Sequence, residues 1–314
     1  MRLSVIVISY NMARELPRTL QSLSPAMQRG ICAEDYEVLV IDNGSSAPID
    51  EDACNLILPN LVFCRLESPS PSPVRAINMG LKRARGDLIG VFIDGARMAS
   101  PGMLANALAA ASLSSRPAIS TLAFHLGPRV QMESVREGYD RDAENALLHA
   151  SKWQEDGYRL FDIAALAGSS RWGWFRCPAE TNALFLKGEH WREIGGYDEG
   201  FETPGGGLAN LDVWARICAD LSFSVITLLG EATFHQVHGG VATNSLNPPQ
   251  EAFHAEYERL RGRPFRPPSR ALTFFGTPPQ QALRWIAHSA QLAQGEVAPD
   301  ASLPNLWPAT QSQE

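Results

Sequence analysis

Short apolar runs alternate with helical patterns along the first hundred residues, and this alternation constrains the fold more than any other feature of the sequence. The apolar, mostly β-branched runs predict four strands, at residues 4–8, 36–41, 61–66 and 87–93. Between them lie helical patterns at 13–23, with Asn11 as the N-cap, and at 74–85, ended by Gly86. Strands that alternate with helices are typical of a parallel sheet with crossover helices. The sequence therefore predicts an α/β fold with a mostly parallel, Rossmann-like central sheet and flanking helices.

Polar side chains follow three of the four predicted strands. Ser9 and Asn11 follow the first strand, Asp42 the second and Asp94 the fourth. Ligands of open α/β sheets bind outside the carboxyl ends of the strands. We therefore expect an active site at this edge of the sheet.

The remainder of the chain predicts a second half and a helical extension. Further elements are expected as helices at 101–113, 211–219, 250–261 and 280–290, and as strands at 118–124 and 222–229. An aromatic cluster at 172–175 is either a plug in the core or a platform on which an acceptor stacks. We expect a nucleotide-binding half at 1–100, an acceptor half at 101–244, a helical extension at 245–295 and a poorly ordered tail at 296–314.

The composition excludes several classes of protein. Hydrophobic residues make up 45% of the 314 residues and charged residues 19%, which argues against a disordered chain or a coiled coil. The formal net charge of −7 argues against nucleic acid as a partner. The five cysteines are scattered without a short pair, so we expect reduced core residues. There is no signal-peptide pattern and no apolar run near the roughly 20 residues that cross a bilayer, so we expect a cytoplasmic protein.

Five segments occur in a fixed order along the chain. They are VIVISYN at 5–11, VLVIDNGS at 38–45, the stretch 75–94, the stretch 195–216 that begins GGYDEGF, and FHQVHGG at 234–240. Together they resemble the GT-A glycosyltransferases of the family-2 type. The resemblance implies a GT-A fold and transfer of a sugar from a nucleoside diphosphate sugar, with UDP favoured, to a glycan or lipid-linked acceptor. It implies a role in surface polysaccharide biosynthesis, with peripheral membrane association as one option.

The resemblance implies a set of residues that bind the nucleotide sugar. The set is Ser9, Asn11, Asp42, Arg75, Asn78, Asp94, Gly95 and Arg97. Asp42 would accept a hydrogen bond from the nucleotide base, the alternative being an aspartate that only forms the turn of an Asp-Asn-Gly loop. Arg75 would contact the nucleotide or else be a solvated helix residue. A carboxylate directly after a buried strand, as at Asp94, is costly unless it is paired or reaches solvent.

The family's second aspartate is absent, since the segment reads Asp94-Gly-Ala-Arg97. A divalent metal, Mn²⁺ or Mg²⁺, would bridge the diphosphate with Asp94 and with His235 or His238 as ligands. Alternatively the Arg97 guanidinium neutralises the phosphates in place of a metal. The histidines would then be ordinary loop residues.

On the acceptor side there are three catalytic candidates, Asp212, Glu180 and Asn210. The resemblance implies the positions of Asp212 and Asn210. Glu180 precedes an apolar, strand-like run at 183–186 and would face the acceptor pocket, the alternative being a buried, paired carboxylate. Asn210 replaces the family's acidic residue, so Asp212 is favoured over Glu180 as the base that takes the acceptor proton. An aspartate in the first turn of a helix is also stabilising by itself. The Asn-Leu-Asp stretch resembles the retaining polypeptide N-acetylgalactosaminyltransferases, although inversion is favoured.

Two other functions compete with glycosyl transfer. A degenerate member of the fold would bind a nucleotide or sugar without transferring it, because the second aspartate is missing. A dinucleotide-dependent oxidoreductase shares the alternation of strands and helices. It would need a G-x-G-x-x-G motif after the first strand, where Ser9-Tyr-Asn-Met12 stands instead.

Overall fold

A computed structural model describes residues 1–47, 49–240 and 249–298. Over these residues ten strands join in a single sheet. The strands are β1 (Leu3–Ser9), β2 (Tyr36–Asp42), β3 (Leu61–Arg65), β4 (Leu88–Phe92), β5 (Arg97–Ala99), β6 (Pro117–Leu126), β7 (Ala164–Leu166), β8 (Ala183–Lys187), β9 (Ser224–His235) and β10 (Thr273–Phe275). The helices are α1 (Leu16–Ser22), α2 (Glu51–Ile57), α3 (Val74–Arg83), α4 (Met103–Ala110), α5 (Gln131–Arg136), α6 (Arg141–Ser151), α7 (Gly188–Glu193), α8 (Ala209–Ala219), α9 (Gln250–Arg261) and α10 (Leu283–Gln294).

The strand order is β10-β9-β6-β8-β4-β1-β2-β3, with β5 on β9 and β7 on β6. Strands β4, β1, β2 and β3 are mutually parallel, as are β6, β9 and β10. Strand β8 is antiparallel to both β4 and β6 and joins these two parallel groups. The predicted α/β fold with a mostly parallel sheet and flanking helices is thus confirmed.

The two faces of the sheet are covered by different helices. Side chains alternate across a strand, so Ile6 and Ile8 pack in one apolar cluster with α3, α8 and α9. Val5 and Val7 of the same strand pack in another cluster with α1 and α4. Because both faces are covered, all seven residues of β1 are buried, which is typical of a parallel strand.

A third apolar cluster lies under the C-terminal part of β9 and contains the fully buried Trp174 and Trp285. The Trp174 indole N–H donates to the carbonyl of Leu228 at 2.8 Å. Trp174 is therefore a plug in the core. Trp172, two residues earlier, is only half-buried and lines a surface cavity.

Two predicted boundaries are wrong for identifiable reasons. The first helix begins at Leu16 and not at residue 13, and Asn11 does not cap it. Asn11 has a positive φ of 54° and its side-chain oxygen accepts from the backbone N–H of Ser46 at 2.9 Å. Strand β9 continues past the predicted end at 229, because Gly230 (φ 74°) allows an irregularity after which pairing with β6 resumes.

The cysteines are free, as expected, but not all of them are core residues. Cys32 is exposed and Cys177 is half-buried, whereas Cys54, Cys64 and Cys218 are buried. The predicted boundary at 244 lies outside the described residues, as does most of the tail predicted at 296–314. None of the helices in the described ranges is long and apolar enough to cross a membrane.

Candidate active site

A cavity of about 1020 Å³ opens at the carboxyl ends of β1 and β4. The strand register explains why polar residues meet there: Ser9 is level with Asp42, and Val7 is level with Phe92, so Asp94 lies where β1 ends. The predicted site residues that line the cavity are Asn11, Asp94, Arg97, Glu180, Asn210, His235 and His238. The edge of the sheet that the sequence singled out is therefore a wall of this cavity.

Asp94 is held by its own loop. Its Oδ1 accepts from the backbone N–H of Ala96 at 3.0 Å, and its Oδ2 accepts from the Arg97 Nε–H at 2.7 Å. The Arg97 side chain is buried, and its Nη1 has no hydrogen-bond partner among the described residues. An unpaired buried guanidinium N–H is costly. Since Arg97 lines the cavity, an anion bound there would satisfy this donor.

Two histidines lie beside Asp94, one at the end of β9 and one in the loop after it. The His235 Nε2 is 3.8 Å from Asp94 Oδ2 and 3.1 Å from His238 Nε2. One ligand atom from each of the three residues lies within 4.8 Å of the others. Burial lowers the pKa of His235 well below 6.5, with Arg97 adding to the effect, and burial also lowers the pKa of His238. Neutral imidazoles are the form that binds metals.

Gln131 fixes the tautomer of His235. Its side-chain N–H donates to the His235 carbonyl at 2.8 Å, so its Oε1, 2.7 Å from Nδ1, acts as the acceptor. The ring proton is therefore assigned to Nδ1, and the lone pair of Nε2 points toward His238 and Asp94. Metal-binding histidines are oriented in this way, by an acceptor that holds the ring nitrogen not bound to the metal. Two imidazole nitrogens and one carboxylate oxygen fit Mn²⁺ better than Mg²⁺.

The loop that carries His238 is held by two residues that the sequence did not reveal, Arg14 and Glu144. Glu144 accepts from the Val237 backbone N–H at 2.7 Å and from Arg14 at 2.9 Å, and Arg14 donates to the Val237 carbonyl at 2.9 Å. Burial raises the pKa of Glu144 to about 7. No local motif predicts this pair, because Arg14, Glu144 and Val237 lie far apart in the sequence.

Glu180 faces the same cavity from the side of β8. Its Oε2 accepts from the Asn210 side-chain N–H at 2.7 Å. Asn210 also donates to the Thr181 carbonyl at 3.0 Å and accepts from the Tyr197 hydroxyl at 3.0 Å. Burial raises the pKa of Tyr197, so its hydroxyl stays protonated as a donor. Asn210 is thus fixed on three sides and orients the Glu180 carboxylate.

The structure does not bring Asp212 to the cavity. Its carboxylate is buried and accepts from Arg216 at 2.9 Å and from Arg261 at 2.6 and 2.7 Å. Residues two apart on a helix point about 200° apart, which is why Asn210 reaches the cavity while Asp212 reaches α9. The interpretation of Asp212 as the base is corrected accordingly: its carboxylate joins α8 to α9.

Ser9 and Asp42 lie beneath the cavity and not in its wall. Asp42 Oδ1 accepts from the Ser45 backbone N–H at 3.0 Å and from the Ser45 hydroxyl at 2.6 Å, the contacts of a turn-forming aspartate. Its Oδ2 and the Ser9 Oγ have no hydrogen-bond partner within the described ranges. The loop that Asp42 shapes places Asn43 and Gly44 in the cavity wall. Sequence reasoning missed these two residues, although they are part of the 38–45 segment.

The other predicted nucleotide residues lie outside the cavity. Arg75 is exposed on α3. Asn78 donates to the Tyr197 carbonyl at 2.9 Å and to Glu199 at 3.1 Å, so it braces the loop before α8. Gly95 is buried, and its carbonyl accepts from the Thr19 hydroxyl at 2.7 Å.

Comparison with known proteins confirms the resemblance. Residues 4–113 match the family model described as Glycosyl transferase family 2. No curated protein sequence matches the chain. Among solved structures, S. aureus TarS 1–349 in complex with UDP-GlcNAc matches at 16% identity and a TM-score of 0.55, over 97% of this chain and 74% of that chain. The chain shares the fold of GT-A glycosyltransferases.

Two further solved structures are similar. S. aureus TarS 1–349 in complex with UDP matches at 17% identity and a TM-score of 0.51, over 76% of this chain, and the chain spans only 61% of that one. The mannosyltransferase PcManGT from Pyrobaculum calidifontis, in complex with GDP-Man and Mn²⁺, matches at 16% identity over 97% of this chain and 72% of that chain, with a TM-score of 0.49.

Proposed function

We propose that the protein transfers a sugar from a nucleoside diphosphate sugar to a glycan or lipid-linked acceptor, in surface polysaccharide biosynthesis on the cytoplasmic side. One observation carries the proposal: Asp94, Arg97 and two histidines face Glu180 across one cavity at the carboxyl edge of the sheet. UDP is the favoured nucleotide, because TarS, which shares the fold, is described in complexes with UDP and UDP-GlcNAc.

The nucleotide binds in the part of the cavity formed by the loops after β1 and β2. Asn11, Asn43 and Gly44 line this part. The Asn11 side chain ties the two loops together through Ser46, at 2.9 Å to its N–H and 3.0 Å to its hydroxyl. Asp42 supports the second loop from below. The base and ribose therefore meet a preformed surface.

The diphosphate binds beside Asp94. Asp94, His235 and His238 would hold a divalent metal, which when bound offsets the negative charge that develops on the leaving diphosphate. Arg97 contributes in the same direction, because its buried Nη1 donates to a phosphate oxygen. Ala96 stands where the family has its second aspartate, and the next residue, Arg97, supplies positive charge to the diphosphate in addition to that of the metal.

Glu180 is the base in this proposal. It takes the proton of the acceptor hydroxyl as that oxygen bonds to the anomeric carbon, while the bond from that carbon to the phosphate oxygen breaks. The nucleoside diphosphate leaves with the bonding electrons. A base that acts on the acceptor directly fits inversion at the anomeric carbon. Asn210 positions Glu180 and does not itself take the proton.

The test is release of UDP from UDP-sugars with Mn²⁺ present, by the wild type and by Glu180→Gln. The variant should lower turnover roughly 10²-fold to 10⁴-fold, while UDP raises its thermal midpoint as in the wild type. Glu202→Gln, at an exposed position outside the cavity, is the matched control. Equal turnover in Glu180→Gln and the control would remove Glu180 from the mechanism.

The alternative is a protein that binds the nucleotide sugar without transfer. The observation in its favour is that Arg97 already occupies Asp94 Oδ2 at 2.7 Å. Saturable binding of UDP-sugars by the wild type with no release of sugar, to water or to any glycan, would establish this alternative.

A further inference from the structure

A second cavity of about 750 Å³ adjoins the active site on the acceptor side. It is lined by residues of the segment 168–179, by Leu211 and by residues 267–270, and we call it the arginine groove. Leu211 lines both cavities. Ala179 lines the groove, and the next residue, Glu180, lines the active site. A molecule in the groove therefore extends toward the carboxylate proposed as the base.

The groove concentrates positive charge in a protein of net charge −7. Arg171, Arg176 and Arg270 line it, and among the residues that the structure describes no aspartate or glutamate lines it. The wall formed by residues 267–270 carries Arg270 and no aspartate or glutamate. Among the described ion pairs none involves Arg176 or Arg270. A cleft lined by one sign of charge attracts ligands of the opposite sign.

Trp172 supplies an apolar surface within the positively charged arginine groove. It is half-buried, and the Arg176 guanidinium lies 4.3 Å from its ring centre, with that of Arg171 at 5.9 Å. These cation–π contacts hold the arginines beside the ring. Arg270 is anchored by the carbonyls of Phe223 at 2.7 Å and Leu221 at 3.2 Å. An aromatic ring can pack on the C–H bonds of a sugar, and planar guanidinium groups beside it can bind carboxylate or phosphate. This combination fits a negatively charged sugar polymer.

We propose that the arginine groove binds the acceptor, and that the acceptor is an anionic glycan with carboxylate or phosphodiester groups along its chain. The assignment as acceptor rests on the proposed function. The groove orients the chain so that a hydroxyl of the sugar at its inner end reaches Glu180. Trp172 selects sugar rings, and the arginines select negative charge.

The test is direct binding of labelled oligosaccharides in the presence of UDP. The probes are hexagalacturonate, which carries carboxylates, a poly(glycerol phosphate) oligomer, which carries phosphodiesters, and neutral maltohexaose. We expect at least one anionic probe to bind ten-fold or more tightly than maltohexaose, with affinity falling as salt increases. Arg176→Ala and Trp172→Ala should each weaken that binding about 5-fold to 20-fold. Arg136→Ala, an exposed arginine outside both cavities, should leave it unchanged.

Three results would overturn the inference: equal binding of maltohexaose and both anionic probes, equal binding by Arg176→Ala and wild type, or equally tight binding of a thymidine hexanucleotide. The thermal shift caused by UDP checks folding of each variant and reports on the donor site. A wild type without any response to UDP contradicts the proposed function. A normal response to UDP without discrimination at the groove contradicts this inference alone.

Discussion

At the scale of single residues, the proposed metal site can be tested by removing one of its three proposed ligands. We expect UDP with Mn²⁺ to raise the thermal midpoint of the wild type more than UDP alone, because Asp94, His235 and His238 would hold an ion that offsets the negative charge of the diphosphate. His238→Ala and excess EDTA should both abolish the added shift. His149→Ala, an exposed histidine outside the cavity, is the control.

Sugar release that persists in excess EDTA would contradict metal dependence. Arg97 would then be the group that neutralises the charge of the leaving diphosphate. In that case Arg97→Ala should be the more damaging substitution. If metal is required, His238→Ala should instead lower turnover more than Arg97→Ala does.

Asp212 gives a second prediction at this scale. Replacement by Asn keeps the shape but leaves Arg216 and Arg261 without their buried carboxylate, and removing one partner of such a pair is costly. We expect a loss of about 2–3 kcal/mol in the free energy of unfolding, measured by urea denaturation, with the UDP response retained. Asp142→Asn, at an exposed position, is the control. A stable Asp212→Asn variant with turnover reduced 100-fold would restore Asp212 as the base.

Asp94 and Asp212 show what the sequence can predict about single residues. Asp94 could be placed because a residue directly after a buried strand must lie at the edge of the sheet. Asp212 could not be placed, because α8 begins at Ala209 and not at residue 211 as expected. Asn210 and Asp212 therefore lie on the same helix, where their side chains point about 200° apart. The arginines that hold Asp212 come from α8 and α9, and only the folded chain brings them together.

At the scale of elements, strand β9 depends on the glycine where its pairing is irregular. Gly230 has a φ of 74°, and a Cβ there would lie 2.5 Å from Pro279 Cδ and 2.6 Å from Pro278 Cα. Gly230→Ala should cost about 3 kcal/mol or more, from backbone strain and overpacking together. Gly262 also has a positive φ, 67°, but nothing lies within 4 Å of a Cβ added there. Gly262→Ala therefore measures the backbone strain alone, which should cost about 1 kcal/mol. Equal losses in the two variants would show that the contact with the prolines is harmless.

The next residue of β9, Glu231, links stability to pH. Its carboxylate accepts from the Tyr158 hydroxyl at 2.8 Å, from Asn106 at 3.1 Å and from the Ser100 hydroxyl at 2.5 Å. Burial nevertheless raises its pKa from 4.5 to about 7. The native state then binds this proton more tightly than the unfolded chain, so the stability that it contributes is lost as the pH rises from about 4.5 to 7.

Glu231→Gln removes that titration. The free energy of unfolding of the wild type minus that of the variant should therefore fall, by up to about 3 kcal/mol, between pH 5 and pH 8. Urea denaturation of both proteins across this range measures the difference. A difference that does not change with pH would mean that Glu231 stays ionised throughout.

At the scale of the whole molecule, UDP binding should stabilise the entire chain, because its cavity is lined from both parallel groups of strands. A ligand that binds only the native state at 100 times its dissociation constant adds about 2.7 kcal/mol to the free energy of unfolding. Uridine, which lacks the diphosphate, should add much less at the same concentration. Equal effects of UDP and uridine would place the diphosphate outside the Asp94 cluster.

At this scale the sequence predicts the first parallel group well and the second only in part. Strands β1 to β4 follow each other through short connections, so periodicity and turn residues suffice to find them. Strands β6, β8 and β9 pair across long stretches of chain, and no local pattern states that β8 runs antiparallel between β4 and β6. Pairing at long range is decided by how the helices cover the sheet.

The reversed direction of β8 separates the segment before it from the loops that follow β1 and β2. Had β8 run parallel to its neighbours, the segment that leads into it would emerge on the opposite side of the molecule from Asp94. Because it is reversed, residues 168–182 lead to the same edge of the sheet as Asp94, while their backbone belongs to neither of the loops that follow β1 and β2. If the proposed function holds, changes of sequence at 168–179 should alter which acceptor is bound without altering recognition of the donor. A new acceptor could then be acquired while the donor stays the same.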